Sequence, residues 1–131
     1  MRAQAVIYVK DLARMTAFYE QCFGFAVTHS DASHAQLESD AWALQLVSAP
    51  AEVAAATAIA VPPRRRADVP LKLAFQVASI DAAAPWLSRL GGQLDDAQTR
   101  WSSSGFLRCD GIDPEGNVIQ LLERSEREAT T

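Results

Sequence analysis

Two stretches decide the reading: Gln4-Ala5-Val6-Ile7-Tyr8-Val9-Lys10-Asp11-Leu12 and Lys72-Leu73-Ala74-Phe75-Gln76-Val77-Ala78-Ser79-Ile80. Their equivalent positions lie 72 − 4 = 68 residues apart, and the offset holds through Asp11/Ser79, Leu12/Ile80, Phe18/Trp86 and Gly24/Gly92. Each copy opens with strand-forming residues, continues through a capping Asp or Ser into helically spaced apolar residues, and stops at glycine. A repeat of this kind predicts two similar half-domains with a site between them. Gln4 and Lys72 begin the copies at equivalent places.

Working outward, Ala3 to Val9 reads as a strand, and Leu12, Met15, Phe18, Tyr19 and Cys22 as the apolar face of a helix. Phe25 to Ser30, His34 to Glu38 and Ala41 to Val47 read as three more strands, which makes the first half βαβββ. Ala51 to Ala60 is Ala-rich and predicts a short helix stopped by Pro62-Pro63. Pro70 to Val77 begins the second half. Its helix runs to Gly91-Gly92, with Pro85 expected to kink it or delay its start. Strands follow around Arg100 to Ser102, Phe106 to Cys109 and Val118 to Leu122, and the chain from Glu123 is polar. Asp110 and Asp113 fall where aspartate caps or shapes a turn. The expected organisation is one domain: module one over 1–48, a linker over 49–69, module two over 70–124 and a tail over 125–131.

Composition narrows the function. With 131 residues, 49% hydrophobic and 21% charged, the chain suits a single globular domain. Its net charge of −4 gives no support to nucleic acid as a partner. Arg64-Arg65-Arg66 reads as a solvated loop. There is no secretory pattern at the start and no apolar run long enough for a bilayer, so no membrane partner is expected. Cys22 and Cys109 have no metal spacing and read as small, buried or half-buried thiols, which suits a cytoplasmic protein without disulfides.

Strand alternation sorts the faces. Ala5, Ile7 and Val9 oppose Gln4, Val6 and Tyr8. Leu71, Leu73, Phe75 and Val77 oppose Lys72, Ala74 and Gln76. Trp42, Leu44 and Leu46 oppose Gln45 and its neighbours, and Ile119 and Leu121 oppose Gln120. The wholly apolar faces suit helix packing. The mixed faces suit either solvent or a pocket, and alternation alone does not choose between them.

Val9-Lys10-Asp11-Leu12 with Phe18-Tyr19 and Phe23-Gly24-Phe25, Phe75-Gln76-Val77 with Gly91-Gly92, and Asp113-Pro114-Glu115-Gly116-Asn117-Val118-Ile119-Gln120-Leu121 together resemble the vicinal oxygen chelate superfamily. That superfamily includes glyoxalase I, extradiol dioxygenases and bleomycin-resistance proteins. The resemblance covers nearly the whole chain. It implies an α+β fold in which two βαβββ modules form a cupped, mixed, mostly antiparallel sheet around a central site. It also implies a homodimer. Enzymes of the family hold a divalent metal with His, Glu or sometimes Gln. Their ligand positions fall here on Gln4, Gln45, Lys72 and Gln120, the inward residues that alternation had separated.

The chemistry at those positions departs from the family. Divalent ions of this kind take carboxylate or imidazole ligands, whereas three neutral amides bring no charge and an ammonium has no lone pair. No metal ligand and no cofactor is therefore expected. His29 and His34 lie outside the ligand set and read as surface or packing residues. The expected function is metal-independent binding of a small anionic or aromatic molecule, with Lys72 as anchor and Gln4, Gln45, Gln76 and Gln120 as hydrogen-bonding groups. Tyr8, Trp101 and Phe106 offer stacking area, although Trp101 and Phe106 equally suit core or dimer packing. The alternative is a metal-dependent lyase or dioxygenase with unusual ligands. An enzyme using Lys72 as base or imine-forming nucleophile lacks an evident proton-transfer partner in the sequence.

Overall fold

A computed structural model describes residues 1–125 of the chain, so the expected tail falls outside the described residues beyond Ser125. The chain divides into two compact units, Met1–Ala60 and the part from Val61 onward.

In the first unit, strand β1 (Ala3–Val9) leads into helix α1 (Leu12–Phe23), then β2 (Ala26–Ser30), β3 (His34–Glu38), β4 (Trp42–Ser48) and the short helix α2 (Ala51–Ala56). The sheet order is β1-β4-β3-β2, with β1 parallel to β4 and the other pairs antiparallel. Helix α1 starts where Asp11 accepts a hydrogen bond from the Arg14 amide at 3.1 Å. It ends at Gly24, whose φ of 72° only glycine takes cheaply and whose N–H donates to the Glu20 carbonyl. Met15, Phe18 and Tyr19 are fully buried with Leu37, Leu44 and Leu46, which is why α1 packs on β3 and β4.

The second unit repeats the order with changes. Strand β5 (Leu73–Val77) and helix α3 (Ile80–Arg89) are followed by β6 (Gln93–Leu94), β7 (Trp101–Ser103), β8 (Phe106–Ile112) and β9 (Val118–Arg124). The order is β5-β9-β8-β6, with β7 also paired to β8. β5 lies parallel to β9, as β1 does to β4. Ser79 caps α3 through the Ala82 amide at 3.1 Å. Pro85 sits inside α3 without delaying its start, and having no N–H it cannot donate to the Asp81 carbonyl.

Several boundaries move from their expected places. The β5 ladder begins at the pair Leu73 and Ile119, so Pro70 to Lys72 lie outside it. β8 continues through Asp110 and Gly111, both weak strand formers, because β6 covers its edge; a Cβ on Gly111 would lie 2.6 Å from the Gln93 carbonyl oxygen. β9 runs two residues past Leu122: Glu123 pairs with Val77 and Leu107, and its carboxylate accepts from the Ile80 amide at 2.7 Å. Ser104 and Gly105, with φ of 54° and 82°, make the two-residue turn between β7 and β8.

The turn before β9 is built on Asp113. This buried carboxylate accepts from the amides of Glu115 and Asn117 at 2.9 and 3.0 Å, and from Asn117 Nδ2 at 2.9 Å. The arginine run serves the same region. Arg66 Nε donates to the Glu115 carbonyl at 3.0 Å, and Arg65 grips Asp95 with two bonds of 2.7 and 3.0 Å. Two of the three arginines are thus held by partners rather than simply solvated.

Both cysteines are free. Burial pushes the Cys22 thiol up to about 12, and burial likewise raises Cys109. At pH 8 this leaves Cys22 about a thousandfold less thiolate than an ordinary thiol, and thiolate is the reactive form. Iodoacetamide at pH 8 is expected to leave both residues unlabelled in native protein and to label both in denaturant. Rapid native labelling of Cys22, read by peptide mass spectrometry, would contradict its placement. Among the described residues no helix is long and apolar enough to cross a membrane.

Candidate functional site

The first unit presents Gln4, Val6 and Tyr8 on the face of β1 opposite its core. Tyr8 is 68% exposed. In register, Val6 lies beside Gln45, and Gln45 beside Gln36. The three amides join there: Gln4 Nε2 donates to Gln36 Oε1 and to Gln45 Oε1, each at 3.3 Å. Gln36 belongs to this set although it was not among the expected site residues. Its position on β3, opposite Gln45, is the signal that the pairing register supplies and the sequence alone does not.

In the second unit a continuous polar chain runs across β8 and β9. Arg108 donates to Gln120 Oε1 at 2.9 Å, and Gln120 Nε2 donates to Asp110 Oδ1 at 3.0 Å. Lys72 Nζ then donates to Asp110 Oδ2 and Oδ1 at 2.9 and 3.1 Å. Gln120 is buried, and Lys72 keeps about two fifths of its side chain exposed. The indole of Trp101 lies under the Lys72 ammonium, 5.6 Å from Nζ to the ring centroid. Phe106 is covered instead by Arg108 and Arg124. Gln76 is exposed and pairs with Leu122, further along β5 from Lys72, and does not join the cluster.

Asp110 corrects the expectation that it shapes the turn: it is a strand residue whose partner in register is Gln120. Extending β8 to Ile112 places Arg108 and Asp110 on the same face as Gln120 and Lys72. The alternation was legible, but Asp-Gly reads locally as a turn. The cluster therefore holds two cations and one carboxylate. Beside it lies a cavity of about 370 Å³ whose lining includes Arg65, Val69, Leu71, Lys72, Asp110 and Val118. Its wall combines apolar branched side chains with the charged ends of Arg65, Lys72 and Asp110.

A family model for the Glyoxalase/Bleomycin resistance protein/Dioxygenase superfamily matches residues 2–121. The chain belongs to that superfamily. Solved structures agree on the fold. A glyoxalase/bleomycin resistance protein/dioxygenase family enzyme from Burkholderia phytofirmans PsJN superposes with a TM-score of 0.68 at 19% identity, over 92% of this chain and 96% of that one. A glyoxalase/bleomycin resistance protein from Albidiferax ferrireducens T118 gives 0.65 at 20% identity, over 92% and 96%. The fosfomycin resistance protein FosX from Mesorhizobium loti gives 0.61 at 13% identity, over 100% and 96%. No curated protein matches the chain.

The superfamily implies a divalent metal, and the donors in each unit can be tested against one. In the first unit the candidate ligands are neutral amides whose oxygens on Gln36 and Gln45 already accept from Gln4. In the second, the Lys72 ammonium stands against both oxygens of the one carboxylate, and the Gln120 oxygen accepts from Arg108. A divalent ion needs free lone pairs and net negative charge, and neither set supplies them. These residues do not fit the metal.

Proposed function

We propose that this superfamily member binds a small anionic or aromatic molecule without a metal, anchored by Lys72. The observation that carries the reading is the placement of Lys72. Its ammonium borders a cavity of about 370 Å³ with a mixed apolar and charged wall, has Trp101 beneath it, and is held by Asp110. A partly exposed ion pair of this kind contributes only about 0–1 kcal/mol, so an incoming carboxylate or phosphonate can share or replace Asp110 at small cost. Lys72 has three N–H donors, which lets it serve both partners. Trp101 supplies a ring on which an aromatic ligand can stack.

The lyase or dioxygenase alternative is disfavoured by the donor chemistry above. An enzyme forming an imine on Lys72 would need that nitrogen free to attack a carbonyl, whereas it sits against both oxygens of Asp110. The reading includes a homodimeric, cytoplasmic protein, in keeping with two unpaired thiols. The resistance named for FosX makes fosfomycin, beside phenylphosphonate and benzoate, a natural first probe.

Calorimetric titration of these three anions separates the roles open to Lys72. For a binding protein, Lys72→Met is expected to weaken the probes about tenfold or more, the worth of one charge-assisted hydrogen bond. A scaffold would bind none of them in either form, and equal affinity of wild type and variant would refute the anchor.

A further inference from the structure

The hairpin joining β2 to β3 carries a cluster outside the sites above. His29, Asp31 and His34 each offer one ligand atom, and these atoms lie within 4.8 Å of one another. Asp31 is fixed by the turn itself: its Oδ1 accepts from the amides of Ser33 and His34 at 2.8 and 3.0 Å, and from Ser33 Oγ at 3.0 Å. Its Oδ2 faces His29 Nε2 at 3.0 Å, and His34 Nδ1 lies 3.2 Å from Oδ1.

A backbone irregularity brings the imidazoles together. Val27 pairs with Leu37, but the next pair is His29 with Gln36, so Thr28 is an extra residue in β2. Without that bulge His29 would pair with Ala35 and point to the face opposite His34. With it, both rings stand on one face, stacked with centroids 4.9 Å apart and planes at 29°.

We propose that His29, Asp31 and His34 form a site for a divalent transition metal ion such as Zn²⁺ or Ni²⁺. Imidazole nitrogen with one carboxylate oxygen is the donor set these ions take. The 3.0 Å contact is to Asp31 Oδ2 and the 3.2 Å contact to Oδ1, and one atom from each residue lies within 4.8 Å of the others, so small rotations of these exposed side chains bring one oxygen and both nitrogens to the roughly 2.1 Å that such an ion requires. The amides on Oδ1 play the part that outer hydrogen bonds play around metal-binding carboxylates: they hold the ligand in place before the ion arrives. All three side chains are at least one third exposed, so the remaining coordination positions stay open to water or to a further donor.

The test is calorimetric titration of the full chain, stripped with chelator, using Zn²⁺, with Co²⁺ absorbance as a second readout. One ion per chain is expected, and His29→Ala and His34→Ala should each weaken binding about tenfold or more. Asp31→Asn keeps an oxygen for the turn amides and should weaken binding similarly. Lys72→Met should leave metal uptake unchanged, which separates this site from the anion anchor. Circular dichroism confirms that each variant is folded. Absence of saturable uptake by wild type, or uptake indifferent to both histidine substitutions, would overturn the proposal.

Discussion

Gly116→Ala is expected to lower the melting temperature by about 15 °C, the consequence of roughly 4 kcal/mol lost in a domain of this size. Two effects add. Gly116 has a φ of 86°, a conformation that costs a side chain about 1–2 kcal/mol. A Cβ there would also stand 2.0 Å from the Arg64 carbonyl oxygen, and that neighbour is backbone that cannot rotate away. Relief would pull the Arg64–Arg66 segment off the turn and break the bond from the Arg66 amide to the Gly116 carbonyl at 2.9 Å. Gly24→Ala is the control. Its φ of 72° is similar, but nothing lies within 4 Å of the added Cβ. It should cost about 1 kcal/mol, the dihedral penalty alone. Thermal unfolding followed by circular dichroism compares the two, and equal shifts would show that Arg64 does not approach Gly116 this closely.

The second large effect concerns charge at Lys72. Lys72→Met removes the anchor and leaves the mostly buried Asp110 facing any incoming anion, so its effect on phenylphosphonate combines a lost attraction with an exposed repulsion. Asp110→Asn does the opposite. It keeps an oxygen that can accept from Gln120 and Lys72, deletes the negative charge and frees the ammonium. Affinity should rise about fivefold, equivalent to about 1 kcal/mol for a partly screened charge. The two substitutions therefore move the dissociation constant in opposite directions. Only a ligand that meets Lys72 directly has that signature. A probe held elsewhere on the surface would respond weakly to both, and a loss of affinity in Asp110→Asn would make the carboxylate, rather than the ammonium, the group that holds the ligand.

Much of the fold was legible because both copies carry strong local signals: Asp11 and Ser79 at helix starts, Gly24 at a helix stop, and alternating faces in the strands next to the helices. The errors fall where tertiary pairing overrides local preference. Asp110-Gly111 reads as a turn but is strand because β6 and β9 pair on either side of it. Glu123 lies past the expected end of the last strand at Leu122, but pairs with Val77 and Leu107 while accepting from the first amide of α3. At the site, Lys72 and Gln120 could be picked out by alternation and family position. Their joint partner Asp110 could not, because finding it requires the β8–β9 register. The same holds for Gln36 beside Gln45, and for the bulge at Thr28 that turns His29 toward His34.

With Lys72 as the anchor, an organic anion is expected to bind this chain without help from a metal. The most direct measurement is titration of phenylphosphonate into chelator-treated His29→Ala protein, repeated after adding back Zn²⁺, so that the hairpin histidines do not contribute. The account predicts saturable binding in chelator with the same dissociation constant after Zn²⁺ is restored. Binding that appears only once the metal returns would contradict it, and would place a metal among the very residues whose chemistry argues against one.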